Sequence, residues 1–224
     1  MPCHRFLRPL LALALALLFL PAAPSARAEK KDGGPPKAIR VAILPFVNSS
    51  AELGATKIMG DIMAEQVKRI DKSRVTYLLP VDVERILTDL NKVGVVYQIA
   101  DKWASNSTLD STAIGGLDSL LMVDAVLCVK ISEWESHRVP VIGAGQSNST
   151  VGLAMAIFDI RTKKRIWSKN PREQRFAAEQ DASSSHVNYD ETGFIQRSSD
   201  SAPPRIEAVA SDLVRDALKT FPPK

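Results

Sequence analysis

The feature that most constrains the fold is a dense apolar run from Ile39 to Val47, followed by a segment with helical periodicity. β-Branched and apolar residues over the length of one strand are typical of a strand covered on both faces, and Pro45 lies near its end. The loop Asn48-Ser49-Ser50 then offers side chains that can cap a helix. Apolar residues follow at helical spacing, namely Ile58, Ile62, Met63, Val67 and Ile70. We therefore predict a strand followed by an amphipathic helix that packs on its sheet.

The pattern repeats once along the chain. Val75 to Leu79 is predicted as a second strand, ended by Pro80, and a second helix from Val81 to Leu90 would bury Val83, Ile86, Leu87 and Leu90. Residues 91–110 are mixed and polar and are predicted as a long connection, and a short helix is predicted over 111–122. Asp124 to Trp134 alternates like a half-exposed strand.

The second half of the chain favours antiparallel strands. A loop is predicted over 137–150, followed by a strand from Thr150 to Ile160. A turn at 161–164 then leads into a further strand from Arg165 to Ser168. Segment 170–201 is polar and rich in serine, so it is predicted as a long loop. Pro203-Pro204 then introduces a helix that would bury Ile206, Val209, Leu213, Leu218 and Phe221. The order predicts an α/β (α+β) fold, a mixed sheet with amphipathic helices packed on it.

The first 28 residues have the layout of a secretory signal peptide. Arg5 and Arg8 precede an unbroken apolar run from Leu10 to Leu20, and Ala26-Arg27-Ala28 forms a small-x-small cleavage site before Glu29. The alternative is an uncleaved signal anchor, although the run is short for a membrane span. Because no cysteine follows the run, we expect an exported, soluble and unlipidated chain: signal peptide 1–28, flexible linker 29–37 and a single domain over 38–224.

Removal of the signal peptide changes the charge and the cysteine count. The full chain has 29 Lys and Arg against 25 Asp and Glu, and three of the bases lie in the signal peptide, leaving 26 against 25. A nearly neutral chain attracts neither phosphate backbones nor anionic lipids, so nucleic acid is not expected as a partner. Cys128 remains as the single cysteine, inside an apolar run, and is predicted to be a buried and inert thiol.

The sequence offers few groups for catalysis or metal binding. After cleavage the histidines are His137 and His186, and a Ser-His-Asp set from His186, 183–185 and Asp190 lacks the strand–turn–helix context of such sites. Glu133 and Glu135 share one face of a strand end, where solvated charges are the favoured interpretation. Two histidines and a buried thiol do not supply a zinc site. We predict no catalytic, cofactor or metal site and therefore no enzyme.

Four segments together resemble a known family. VAILPF-N-S at the start of the domain is followed by LLPVDVERIL, VDAVLCVKISEWE and GLAMAIFDIRTKKRIWS. In this order they resemble the bacterial envelope proteins around CsgG, whose relatives include FlgO-like and LpoB-like proteins, small lipoproteins and the N-terminal domain of TolB. The resemblance covers about residues 39 to 168. It implies an anticodon-binding-domain-like fold in the periplasm, near the outer membrane, that acts through protein contacts.

This chain departs from the family in two respects. Its relatives are commonly anchored through a cysteine at the mature N-terminus, where this chain has Glu29. The curli channel also inserts transmembrane hairpins, whose strands need about 9–11 alternating residues each. Segment 137–149 is too short for such a pair and 170–201 is too polar. No transmembrane segment is therefore expected in the mature chain, which would be the family's periplasmic layer without its channel.

These observations predict a non-enzymatic periplasmic accessory protein. Its expected binding partners are envelope or outer-membrane proteins, with a lipoprotein among the candidates. It would support assembly, secretion or maintenance at the outer membrane, and we expect it to form homo-oligomers. Candidate contact residues are Asn48, Ser49, Ser50, Tyr189 and Phe194, with 170–201 as the contact loop. The alternative is a periplasmic binding module for a small molecule or glycan, seated near 48–51.

Overall fold

A computed structural model describes most of the domain. Its described residues are 38–107, 109, 114–139, 146–177, 187–189, 195–197 and 202–221. The predicted signal peptide with Ala26, Ala28 and Glu29, and the linker over 29–37, lie outside them. The elements are β1 Ile39–Ile43, β2 Val47–Asn48, α1 Ala55–Lys68, β3 Val75–Leu78, α2 Pro80–Asp89, α3 Val93–Asn106, α4 Leu117–Leu121, β4 Ala125–His137, β5 Asn148–Asp159, β6 Arg165–Lys169, β7 Arg172–Phe176, β8 Val187–Tyr189, β9 Ile195–Arg197 and α5 Ile206–Leu218.

The main sheet is mixed. Its strand order is β3-β1-β4-β5-β6, with β2 paired to β4 and β7 paired to β5, while β8 and β9 form a separate two-stranded sheet. β1 runs parallel to β3 and to β4, whereas β4 and β5 form a long antiparallel hairpin. The helices of the described residues pack on this sheet. The predicted fold class, a mixed sheet covered by amphipathic helices, is confirmed.

Both faces of the sheet are buried here, which explains the uninterrupted apolar run from Val41 to Leu44. Val41 and Ile43 belong to the core beneath α1 and α5, whereas Ala42 and Leu44 belong to the core beneath α2, α3 and α4. Successive side chains of a strand point to opposite faces, so a strand between two helical layers must be apolar at every position. The predicted first strand is, however, interrupted around Pro45. This residue has no N–H to donate, and pairing with β4 resumes at Val47.

The predicted connection over 91–110 is wrong, because residues 93–106 form the helix α3. Its buried side chains, Val96, Ile99, Ala100 and Trp103, recur at spacings of three and four residues and pack on the sheet. Asn91, with φ of 53°, separates this helix from α2. Leu90, predicted to be buried, is exposed at the end of α2.

The polar segment 170–201 is not a loop throughout. Residues 172–176 form β7, which extends the main sheet along β5, and 187–189 pair with 195–197. The sequence of β7 is charged because it lies at a sheet edge, where polar side chains face water and discourage pairing with other chains. The short helix predicted over 111–122 covers only 117–121 among the described residues. The strand predicted as half-exposed, β4, is instead buried at every position from Ala125 to Val129. The other predicted elements agree with the structure to within a few residues at their ends.

Candidate protein-binding groove

The topology creates a crevice between the carboxyl ends of β1 and β3. From β1 the chain passes to α1 on one face of the sheet, whereas from the adjacent β3 it passes to α2 on the other face. Where the connections of neighbouring parallel strands leave toward opposite faces, their ends separate, and α/β proteins commonly bind ligands there. This crevice is the candidate functional site.

The crevice forms a groove of about 590 Å³, which is within the range of ligand sites. Its lining is mainly apolar, and the residues that line it are Pro45, Phe46, Thr56, Lys57, Gly60, Asp61, Ala64, Leu79, Pro80, Val81, Glu84 and Tyr97. The strand ends supply its base, while α1, α2 and α3 supply its walls. All of these elements are fixed by the two buried cores, so the groove has a rigid frame.

The groove is open to solvent along its rim. Val81, in the first turn of α2, is 66% exposed, and Tyr97 on α3 is 45% exposed. On the opposite wall Gly60 leaves space, because a Cβ there would have Phe46 as its nearest neighbour at 3.9 Å. Exposed apolar side chains beside an unfilled wall are typical of a surface that receives another molecule.

Three charged side chains border the groove. Lys57 and Asp61 lie one turn apart on α1, and Glu84 lies on α2. Partial burial of the Tyr97 ring and a hydrogen bond from its hydroxyl to Glu84 raise the pKa of Tyr97. Because Lys57 and Asp61 offset one another, the Glu84 carboxylate leaves the groove with an excess of negative charge.

The predicted capping role of Asn48, Ser49 and Ser50 is wrong. The residue before α1 is Gly54, and no side chain caps the helix. Asn48 instead fixes the turn after β2. Its Oδ1 accepts hydrogen bonds from the backbone N–H and the hydroxyl of Ser50, at 2.9 and 2.7 Å, and its Nδ2 donates to the carbonyl of Glu52. The side-chain groups of Asn48 and Ser50 are therefore used within the loop, while the Ser49 N–H donates to the carbonyl of Ile131 on β4 at 2.8 Å.

The other predicted contact residues are not related to the groove by the described geometry. Tyr189 lies in β8 of the small sheet, and Phe194 lies outside the described residues. A contact role for the segment 170–201 therefore stays a prediction. The groove residues were missed from the sequence because they come from strand ends and helices far apart along the chain.

The groups considered for catalysis are placed apart or outside the described residues. The two carboxylate oxygens of Glu133 share the single Nε–H of Arg172, at 3.0 and 2.9 Å, so Glu133 is one partner of a surface ion pair. His137 ends β4, whereas His186, 183–185 and Asp190 lie outside the described part of the chain. Within that part, no three His, Cys, Asp or Glu side chains are grouped as a metal ion would require.

Burial of Cys128 predicts a loss of stability in alkaline solution. The side chain is 1% exposed, as predicted, and burial raises the pKa of its thiol. The unfolded thiol titrates near pH 8.5, so stability is fully present below that pH and is lost as pH rises toward the raised folded pKa. We expect the free energy of unfolding to fall by about 1.4 kcal/mol per pH unit there. Urea titrations from neutral to alkaline pH would measure the fall, and Cys128→Ala should reduce its slope. An equal slope in Cys128→Ala would contradict the assignment.

None of the described helices has the length and apolar character needed to cross a membrane. The sequence matches no protein-family model and no curated protein. Among solved structures, the hypothetical protein CT253 from Chlamydia trachomatis is similar, with a TM-score of 0.50 and 15% identity, over 81% of this chain and 94% of that one. At this identity the likeness shows a shared fold.

Two further structures match less well. The lipoprotein GNA1162 from Neisseria meningitidis has a TM-score of 0.45 and 16% identity, over 65% of this chain and 88% of that one. The C-terminal domain of LpoB from Salmonella enterica has a TM-score of 0.36 and 13% identity, over 64% of this chain and 87% of that one. The sequence resemblance to the family around CsgG stays a prediction.

Proposed function

We propose that this protein is a non-enzymatic accessory protein of the bacterial periplasm that supports assembly, secretion or maintenance at the outer membrane by binding another protein. The observation that carries the proposal is the open groove at the carboxyl ends of β1 and β3. The signal-peptide pattern and the family resemblance support the location. The groove contains an exposed aromatic ring and a free wall, and its lining provides no nucleophile–base pair among the described residues.

The occupant that fits the groove is an apolar segment of a partner protein that carries one basic side chain. Val81 and Tyr97 offer exposed apolar surface that an enclosed ligand would not need. Glu84 and Asp61 offer two carboxylates against the single ammonium group of Lys57. A Lys or Arg on the partner would balance that excess, and opposite charges across an interface favour the correct partner and register.

Filling the groove should abolish partner binding without destabilising the fold. Gly60→Leu places a side chain into the free wall, and replacing a glycine within a helix favours the helix by up to about 1 kcal/mol. Gly60→Ala is the matched control, because its Cβ meets only ordinary contact with Phe46. A photo-crosslinking residue at position 81, in cells, would report the partner in each background.

The crosslinked peptide decides the outcome. Capture of one envelope protein through an apolar segment with a Lys or Arg, present in Gly60→Ala and lost in Gly60→Leu, supports the proposal. A crosslink that persists in Gly60→Leu contradicts binding in the groove. The absence of any crosslinked protein contradicts a protein partner at this site.

A small molecule or glycan is the second candidate occupant, favoured by the groove's volume and by its place at the switch in strand order. A panel of envelope metabolites tested by thermal unfolding separates the two. A ligand at 100 times its Kd would add about 2.7 kcal/mol of stability. A shift that Gly60→Leu removes would favour this candidate over a protein partner.

A further inference from the structure

The strand β3 forms an open edge of the main sheet. It pairs with β1 on one side, and no described strand pairs with its other side. Its residues, VTYL, include no charged side chain, whereas β6 and β7 at the opposite edge read RIWSK and REQRF. Charged residues at an edge discourage pairing with another chain. The β7 and β6 edge is protected in this way and the β3 edge is not.

The backbone groups of β3 alternate between the two sides. Ile39 donates from its N–H to the carbonyl of Arg74, at 3.0 Å, and is in register with Val75. In a parallel ladder, residues 74, 76 and 78 therefore bond to β1, and the groups of residues 75, 77 and 79 face the open edge.

Two of these outward groups are already used inside the chain. The Val75 N–H donates to the carbonyl of Asp71 at 3.2 Å, and the Leu79 carbonyl accepts from Asp82 and Val83 at 3.0 Å each. Within the described residues, the groups left without a partner are the Val75 carbonyl, both groups of Tyr77 and the Leu79 N–H.

The remaining set is complementary to itself. In an antiparallel pair related by a two-fold axis at Tyr77, each Tyr77 N–H reaches the Tyr77 carbonyl of the other copy. Each Leu79 N–H then meets a Val75 carbonyl. All the free groups of the edge are satisfied, and none of the groups used internally is needed. We propose that a second copy of this chain pairs antiparallel with β3, so that two sheets become one.

The charges around the edge have the same symmetry. Lys68 and Lys72 lie near the start of β3, and Asp82 lies beyond its end, all lining a cavity of about 330 Å³ along the strand. An antiparallel copy brings the lysines of each chain toward Asp82 of the other. A two-fold interface presents one surface to itself, so opposite charges at opposite ends of the strand favour this arrangement.

The β3 edge is a different surface from the groove, although Ala64 and Leu79 line the cavities at both. The dimer does not depend on a partner protein. Its failure would leave the groove proposal intact, because self-association and partner crosslinking are measured separately.

Leu79→Pro tests the backbone pairing. Leu79 has φ of −71°, which proline adopts, and it already precedes a proline, so the fold tolerates the change. The substitution removes one free N–H from each copy. Loss of two interchain hydrogen bonds should weaken the dimer by roughly tenfold or more. Leu79→Ala is the control, because it removes side-chain packing but keeps the N–H.

Tyr77→Cys tests the position of the axis. Residues directly opposite in such a pair have Cα atoms about 5.5 Å apart, which a disulfide spans. The full chain would be expressed so that the host exports it, and the protein would be purified from the periplasm. In that protein Cys128 is buried and cannot form the crosslink.

The proposal expects a concentration-dependent dimer in sedimentation equilibrium, weakened in Leu79→Pro but not in Leu79→Ala, and a covalent dimer of Tyr77→Cys after mild oxidation. A monomer at every concentration would overturn it. So would a dimer or larger oligomer that Leu79→Pro leaves unchanged, or a folded Tyr77→Cys that stays monomeric after oxidation while the unsubstituted protein dimerises.

Discussion

Trp167→Ala should lower the free energy of unfolding by about 3–5 kcal/mol. Trp167 lies on β6 and is 8% exposed, in the core beneath α1 and α5. Its ring meets Phe221 edge to face, with centroids 6.1 Å apart, and its Nε1 donates to the hydroxyl of Thr220 at 3.0 Å. The substitution therefore removes a large buried side chain and also the attachment of the chain end that follows α5.

Urea denaturation at neutral pH would measure the loss. Trp167→Phe keeps an aromatic ring against Phe221 and should lose less than half as much. Thr220→Val leaves the indole N–H unsatisfied and also removes the hydrogen bond that the Thr220 hydroxyl donates to the Ala217 carbonyl at 2.7 Å, which together should cost about 1–3 kcal/mol. A loss below about 1 kcal/mol in Trp167→Ala would show that the site collapses and that the C-terminal attachment is dispensable.

The layered fold could be predicted because burial on both faces leaves a direct record in the sequence. Val41, Ala42, Ile43 and Leu44 are all fully buried, so the chain is continuously apolar from Val41 to Leu44. The strand–turn–strand of β5 and β6 was also predicted, because a four-residue polar turn separates a long apolar segment from a short one that carries Ile166 and Trp167. Local hydrophobic patterns were sufficient to predict a strand or helix wherever that element buries one or both of its faces in the core.

Helix α3 was missed because its first turns are not polar on their exposed side. Val95 is 39% exposed and Tyr97 lines the groove, so apolar residues surround the start of the helix and obscure its periodicity there. An amphipathic helix is recognised by contrast between its faces. The exposed apolar residues that obscured the helix in the sequence include Tyr97, which contributes to the apolar wall of the groove.

The sequence indicated the neighbourhood of the groove but not the set of residues that line it. The alternative seat near 48–51 follows the end of β1, and the structure places the groove beside it, at Pro45 and Phe46. That β3 lies next to β1, with its helix on the opposite face, is a matter of strand order that local patterns do not encode. The free edge of β3 is likewise visible only after the sheet is assembled.

Gly152→Val should lower the free energy of unfolding by about 3 kcal/mol. Gly152 lies on the central strand β5, paired with Glu133 of β4 on one side and Arg172 of β7 on the other. A Cβ at this position would stand 2.8 Å from Ser132 Oγ and 3.1 Å from Glu133 Cβ. The register of β4 against β5 shifts between Ile131 and Glu133, so the backbone is irregular where the extra atoms must fit.

Gly152→Ala introduces the same close contacts without the branched methyl groups and should cost about 1–3 kcal/mol. The contact with Ser132 Oγ can be relieved, so Ser132→Ala should recover part of that cost in the double variant, whereas the contact with Glu133 Cβ would remain. Arg172→Ala removes only the exposed ion pair that crosses β5 and should cost less than about 1 kcal/mol. If Gly152→Ala cost no more than Arg172→Ala in the same urea titration, steric fit would not be what requires glycine at this strand crossing.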